Sequence, residues 1–442
     1  MAIFAILLSI AAIIFLITKV KLHPFLALLV VSIFFGLLTG MKSELIIASI
    51  QDGFGGTIGK VGLIIILGVL IGAFLEHSGG ALVLAHKILS ITGKKRVSAA
   101  MGISGYFISI PVFSDSGFVL LSSLNKTLTK KAGLSLGGTA IALGLGLSCT
   151  HALVPPTPGP IAAAGILQAD IALVMLLGAI TSAVALGAAL IFVNKVASKT
   201  YIDPGPLVEN AEESPDQPPG LLKSSLPIVV PVLLIVLKSI SLFQTEGSWS
   251  PGVLTWINFL GEPVVALLVG FALCLFLPRK FKTEYLSVNG WTGKALTQAA
   301  HIIFVTGAGG IFGKILQNSD VVDLLGEGLA GSEIGIFFPF ILAAGLKSAQ
   351  GSSTVALITT ASVMQPLMAN IGFVSELEKA MVVVAIGAGS LVVSHVNDSF
   401  FWVVTQMSNM DVKTGHKLHT TGTLVIGCAA MATLYVVNLI MQ

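Results

Sequence analysis

Apolar residues run in blocks long enough to cross a hydrocarbon core of roughly 30 Å near residues 4–20, 24–40, 61–76, 134–157, 167–194, 224–243, 257–277, 295–316, 378–407 and 420–441. These blocks predict an all-α polytopic membrane protein with about ten transmembrane helices. Two more apolar stretches, 97–125 and 334–373, have flanks of like character at both ends. They read as re-entrant hairpins that enter and leave on one side. Residues 41–60 read as a surface helix, although Gly53, Gly55, Gly56 and Gly59 weaken it.

The pattern occurs twice. Gly68-xxx-Gly72-xx-Leu75-xx-Ser78 returns 241 positions later as Gly309-xxx-Gly313-xx-Leu316-xx-Ser319, each copy followed by two apolar segments with polar interruptions. Basic residues concentrate on the cytoplasmic side of membrane proteins. Lys94, Lys95, Arg96, Lys126, Lys130 and Lys131 put both ends of the first hairpin inside, whereas Asp320, Asp323, Glu327, Glu333, Glu376 and Glu378, opposed by Lys379, put the second hairpin's ends outside. With Arg279, Lys280 and Lys282 inside, the halves have opposite orientation, an inverted repeat. The first repeat is residues 1–197, with a hairpin at about 97–131 and a broken helix at about 134–160. A Pro-, Ser- and acid-rich cytoplasmic linker occupies 198–223. The second repeat is 224–442, with a hairpin at about 333–373 and a broken helix at about 378–407.

Composition agrees. Of 442 residues 55% are hydrophobic and only 10% charged, against about a quarter charged in soluble domains. The net charge of +3 reflects local topology signals, so a nucleic-acid partner is not expected. Cys149, Cys274 and Cys428 lie in apolar runs at spacings that suit neither a disulfide framework nor a metal site. No cofactor is implied, and no zinc-protease, P-loop or dinucleotide fingerprint occurs, so the chain is not expected to be an enzyme or ATP-driven. The apolar 4–18 segment has no basic residue before Lys19 and no small-residue cleavage site, which suits a retained first span.

Chemistry concentrates where the apolar runs are interrupted, because irregular backbone is tolerated at membrane depth only where it is buried in protein or lines a wet cavity. The first hairpin turns at Pro111-Val112-Phe113-Ser114-Asp115-Ser116-Gly117, where Asp115 is the one charge between Arg96 and Lys126. It suits a functional carboxylate or a helix cap. Thr150 and His151 lead into Pro155-Pro156-Thr157-Pro158-Gly159-Pro160, which must break the helix. His151 reads either as a site residue or as a satisfied core histidine. The second hairpin turns at Lys347-Ser348-Ala349-Gln350-Gly351-Ser352-Ser353-Thr354, whose hydroxyls and open amides suit a polyhydroxylated anion. Ser394-His395-Val396-Asn397-Asp398-Ser399 interrupts the matching helix, with Ser394-His395 lying 244 positions after Thr150-His151. Asp398 suits a proton site, a helix cap or an ion pair with Lys347. Glu76, His77, His86, His301, His416 and His419 read as residues near span ends.

These four motifs resemble the gluconate permease family, and the likeness covers almost the whole chain. The resemblance implies a proton-coupled importer of small hydroxylated carboxylates in the bacterial inner membrane, with gluconate as the default and other sugar acids, glycerate or D-serine as relatives' cargo. It also implies membership of the wider ion transporter superfamily. That superfamily's members are typically homodimers in which hairpin tips and broken helices form a mobile unit moving against a static scaffold, an elevator. The superfamily's sodium-site Ser-Asn-Thr pattern is absent from the clusters, which favours protons.

The expected ligand set is Ser114, Asp115, Ser116, Thr150, His151, Lys347, Gln350, Gly351, Ser352, Ser353, Thr354, Ser394, His395 and Asn397, with Asp115, Asp398, His151 and His395 as proton-coupling groups. A cation/proton exchanger is the nearest rival, disfavoured because a bare cation needs carboxylates and carbonyls more than donors. An intramembrane hydrolase using Asp115 and Asp398, and a passive channel, complete the alternatives.

Overall fold

A computed structural model of the chain describes residues 2–92, 96–205, 218–242, 250–319 and 335–441, and every regular element among them is helical. The middle of the linker, the basic pair Lys94-Lys95 and the acidic residues 320–333 before the second hairpin lie outside the described residues. In chain order the helices are α1 (Ala2–Thr18), α2 (Pro24–Leu38), α3 (Ser43–His77), α4 (Gly80–Thr92), α5 (Val97–Ile108), α6 (Ser114–Lys131), α7 (Leu136–Leu153), α8 (Pro158–Leu167) and α9 (Ile171–Lys195). They continue as α10 (Leu221–Leu242), α11 (Pro251–Leu260), α12 (Pro263–Cys274), α13 (Trp291–Gln317), α14 (Phe337–Gln350), α15 (Ser353–Met364), α16 (Glu376–Leu391), α17 (Ser399–Met407) and α18 (Thr421–Met441).

Local chemistry sets the ends. Ser135 accepts from the Gly137 amide at 3.1 Å and Asp170 from the Leu173 amide at 2.8 Å, starting α7 and α9. Ser375 and Glu378 form a reciprocal capping box at the start of α16. Six helical segments among the described residues are long and apolar enough to cross a membrane, and the bent α11–α12 pair would make a seventh. The expected ten also counted α1, α2 and the α16–α17 pair, whose helices are individually shorter. Exposed Phe15, Leu37, Leu63, Leu176, Ile191 and Leu233 present the apolar exterior that lipid requires.

Two expectations need correction. Residues 41–60 are not a separate surface helix: α3 runs unbroken for 35 residues, about 50 Å at 1.5 Å per residue. The helix persists because packing overrides glycine's poor propensity; a Cβ at Gly53 would meet the Gly310 backbone of α13, so that glycine is what allows the two longest helices to cross closely. Nor is 257–277 one straight span. The chain bends by 68° between α11 and α12, where Gly261 ends one helix and Pro263 starts the next.

The α3–α13 pair runs through the molecule with α2 and α12 alongside. Beside it, the entering arm of each hairpin packs on the broken helix that follows it in sequence, α5 on α7 and α14 on α16. The returning arms cross over: α6 packs on α17, and α15 packs on α8. Each half of the chain therefore completes the other's interruption, and the four interruptions meet.

Candidate functional site

The first hairpin tip is held by its serines. Ser109 Oγ donates to the Val112 carbonyl at 3.1 Å and lies 3.3 Å from Ser114 Oγ, which reaches the Leu147 carbonyl of α7 at 3.4 Å. Gly72 of α3 lies so close to the Pro111 carbonyl that a Cβ would overlap it, and a Cβ at Gly68 would stand 2.8 Å from the Pro156 carbonyl in the α7–α8 break. The glycines of the repeated motif thus let two interruptions rest on α3. The N-terminus of α6 begins at Ser114 and carries Asp115 in its first turn. Phe113 occupies the cap position, so Asp115 does not cap the helix; its carboxylate instead accepts from Ser399 Oγ, 3.3 Å away at the start of α17.

The second tip needs glycine outright. Gly351 adopts φ +89°, a region that L side chains avoid, and a Cβ there would overlap the Asn397 carbonyl. Ser352 then caps α15 by accepting from the Val355 amide at 3.3 Å, while Ser353 Oγ donates to the Ser390 carbonyl of α16 at 2.9 Å.

The charges are unequal in their surroundings. Lys347 Nζ lies 2.5 Å from Asp398 Oδ2 and also donates to the Gly351 carbonyl; the two side chains are 2% and 8% exposed. Asp398 accepts further from Ser394 Oγ at 2.5 Å and caps α17 through the Phe400 amide at 3.1 Å. The cap and the ion pair weighed for Asp398 are therefore both present. Asp115, by contrast, has no cation within ion-pair distance among the described residues.

A cavity of about 140 Å³ lies between the tips and the breaks. Of the expected residues, Ser114, Asp115, His151, Lys347, Ser352, Ser353, Thr354, Ser394 and Asp398 line it. The N-termini of α6 and α15 both border it, each a region of unpaired amides and positive dipole that favours an anion. His151 Nδ1 is buried without a hydrogen-bond partner among the described residues, so the reading of a satisfied core histidine fails.

The remaining expected residues lie outside this cavity. Ser116 lines a neighbouring compartment. Thr150 Oγ1 donates to the Tyr106 carbonyl at 2.8 Å, tying α7 to α5. His395 Nε2 and Asn397 Nδ2 converge on the Ser348 carbonyl at 2.8 and 2.9 Å, fastening the α16–α17 break to the second hairpin. Gly351 shapes the turn, and both polar atoms of the Gln350 carboxamide are buried without partners among the described residues.

The expected ligand set left out Ser148, Ser399 and Thr423, which also line the cavity, and His419 was misplaced. His419 is fully buried, in a short π-helical turn at His416–Thr420, with Nε2 3.2 Å from Ser394 Oγ. Because the Ser394 hydroxyl hydrogen goes to Asp398, His419 must donate from Nε2. Its signal was an ionisable residue bordering an apolar run, which reads equally as an interfacial residue.

The family model for the GntP family permease matches residues 1–440. The gluconate permease of Pseudomonas aeruginosa is 33% identical over 98% of this chain and 97% of its own length. The inner membrane permease YgbN of Escherichia coli is 33% identical over 93% of each chain, and the Gnt-II system L-idonate transporter of the same species is 30% identical over 93% of each. Among solved structures, the Alcanivorax borkumensis YdaH transporter superposes with a TM-score of 0.60 at 15% identity, covering 94% of this chain and 98% of that one, a likeness of fold. With a whole-length family match and near-complete relatives on the one hand, and on the other a transporter fold whose interruptions converge on a buried polar cavity, the chain belongs to the GntP family of permeases, multi-pass proteins of the inner membrane and not enzymes.

Proposed function

We propose that the protein imports a small hydroxylated carboxylate, gluconate or a related sugar acid such as idonate, together with a proton. The observation that carries this reading is the pairing of Asp398 with Lys347 while Asp115 stands unpaired in the same cavity. An arriving carboxylate brings a second unpaired negative charge beside Asp115. At about 4 Å two such charges repel by several kcal/mol in a partly desolvated site, and one proton on Asp115 removes the repulsion. Ser352, Thr354 and His151 supply donors for the carboxylate and hydroxyls, while Ser114 and Ser353, whose hydroxyl hydrogens go to the Leu147 and Ser390 carbonyls, accept from the cargo's hydroxyls. Lys347, Ser394 and Asp398 form the fixed wall, while Thr150, Gly351, His395 and Asn397 hold the tips in shape. This assignment narrows the proton-carrying role to Asp115.

An elevator movement by two inverted halves fits the packing within the chain, and a homodimer is proposed along with it. Gly72 meets the very tip of the first hairpin at Pro111, whereas its counterpart Gly313 would place a Cβ 3.1 Å from the Ser362 carbonyl. Ser362 lies ten residues beyond Ser352, about 15 Å along α15 at 1.5 Å per residue. The two hairpins thus sit at different heights against their own glycine motifs, as one end of a stroke requires.

The test is uptake of labelled gluconate into proteoliposomes under an imposed pH gradient. The wild type accumulates gluconate when the outside is acidic. Asp115→Asn still exchanges gluconate across the membrane but loses gradient-driven accumulation; an unchanged response of that variant to the gradient would refute the role.

A further inference from the structure

A second compartment of about 310 Å³ adjoins the first and shares Phe113, Asp115, Ser352 and Thr354 with it. Its opposite wall belongs to α13, where Gln298 and His301 are the polar residues among Ile302 and Val305. His301 was read as a residue near a span end, yet it stands ten residues into α13 and faces both hairpin tips across this space.

Its hydrogen bonds fix which nitrogen carries the proton. The Phe25 amide donates to His23 Nδ1 at 3.2 Å, at the start of α2. A neutral imidazole has one N–H, so His23 carries its hydrogen on Nε2. That Nε2 lies 3.0 Å from His301 Nδ1, with the rings edge-on at a centroid distance of 4.8 Å. His301 Nδ1 therefore accepts, and its own hydrogen lies on Nε2, which has no partner among the described residues. The relay from backbone amide through two rings leaves one oriented N–H donor for the compartment that His301 lines.

We propose that His301 and Gln298 form a second binding station for the cargo anion, on the scaffold helix, between the tip cavity and the cytoplasm. The proposal rests on the transport reading above and deepens it. Its chemistry matches a hydroxylated carboxylate: the imidazole N–H donates to the carboxylate, and the Gln298 carboxamide donates to and accepts from a hydroxyl, while Ser116 and Thr354 keep contact from the tips. The station faces the cytoplasm because Arg279, Lys280 and Lys282 precede the Trp291 end of α13. Cargo released from the tips would pass His301 on its way out, and cytoplasmic cargo would meet it first.

The experiment compares half-saturation for gluconate from each face, using right-side-out and inside-out vesicles. His301→Leu removes the donor and is expected to raise half-saturation at the cytoplasmic face by about tenfold, as expected for one lost hydrogen bond to a charged group, without changing it at the external face. His301→Gln, whose amide reaches the position of Nε2, restores the wild-type value, and Gln298→Ala gives a smaller cytoplasmic shift. These two variants carry the test should His301→Leu fold poorly. Equal shifts at both faces, or none at either, overturn the station while wild-type transport leaves the main reading intact. Wild-type vesicles that move no sugar acid overturn both.

Discussion

Lys347→Met is the most demanding test of how the second hairpin is built. The substitution keeps the length of the side chain and removes the cation from Asp398, whose remaining partners are Ser394 Oγ at 2.5 Å and the Phe400 amide at 3.1 Å. With the two side chains 2% and 8% exposed, Asp398 is left buried without its cation. Breaking a buried pair from one side costs about 3–5 kcal/mol, whereas neutralising both partners is often close to neutral. Lys347→Met alone should therefore lower the unfolding free energy by about 3–5 kcal/mol. Lys347→Met with Asp398→Asn should recover most of that loss, since Asn still caps α17 through Phe400. The assay is unfolding of the purified protein in detergent as a double-mutant cycle, with single and double variants compared under one condition. Gluconate uptake should vanish in Lys347→Met, which leaves Asp398 as an added negative charge in the cavity, and should return in part in the double variant, whose cavity has the wild-type net charge. A Lys347→Met protein that unfolds with the wild type, or single costs that simply add in the double variant, would refute the buried pair as the tie between hairpin and break.

Gly351→Ala combines a φ of +89° with a Cβ against the Asn397 carbonyl, so it should cost about 1–3 kcal/mol from the backbone alone and abolish uptake while the protein still inserts; thermal melting and vesicle uptake check both parts. His419→Gln should keep gluconate uptake, because the amide can donate to Ser394 from the position of Nε2, whereas His419→Leu should lose it; equal activity in the two would show that the donor to Ser394 is idle.

The all-helical membrane character was legible because lipid enforces it: long apolar runs with few charges have one way to satisfy their backbone. The residues lining the cavity were legible to the extent that they sit in sequence beside a breaker, as Ser114 and Asp115 follow Pro111 and as Ser352 and Ser353 follow Gly351. Direction was not legible. Thr150 lies one residue before His151, but their side chains leave the helix about 100° apart, and only the histidine reaches the cavity. His395 and Asn397 turn to Ser348 after a backbone in which Val393 has φ +58°, a local twist that no pattern of residue types announces. His419 was hidden for a different reason. Its partner Ser394 is 25 positions away, and it sits in a π-helical turn, His416–Thr420, that no pattern of residue types announces.

On the proposed function, the difference between the two aspartates gives a reason for this site to take its cargo only with a proton. Asp398 and Lys347 cancel each other at short range, leaving Asp115 as the net charge of the cavity, set against two helix N-termini that together offer roughly one positive unit. That balance suits one anion, not two. On the proposed cycle the empty cavity holds its one negative charge on Asp115. When the sugar acid arrives it takes over the helix termini, and Asp115 must become neutral or be repelled. A loaded, protonated unit carries the same net charge as the empty, deprotonated one, so both can cross the same desolvated seam against α3 and α13. The unprotonated loaded unit carries an extra buried charge at a cost of several kcal/mol and stays where it is. On this proposal coupling needs no separate gate: one unpaired carboxylate beside a cavity that takes one anion would suffice.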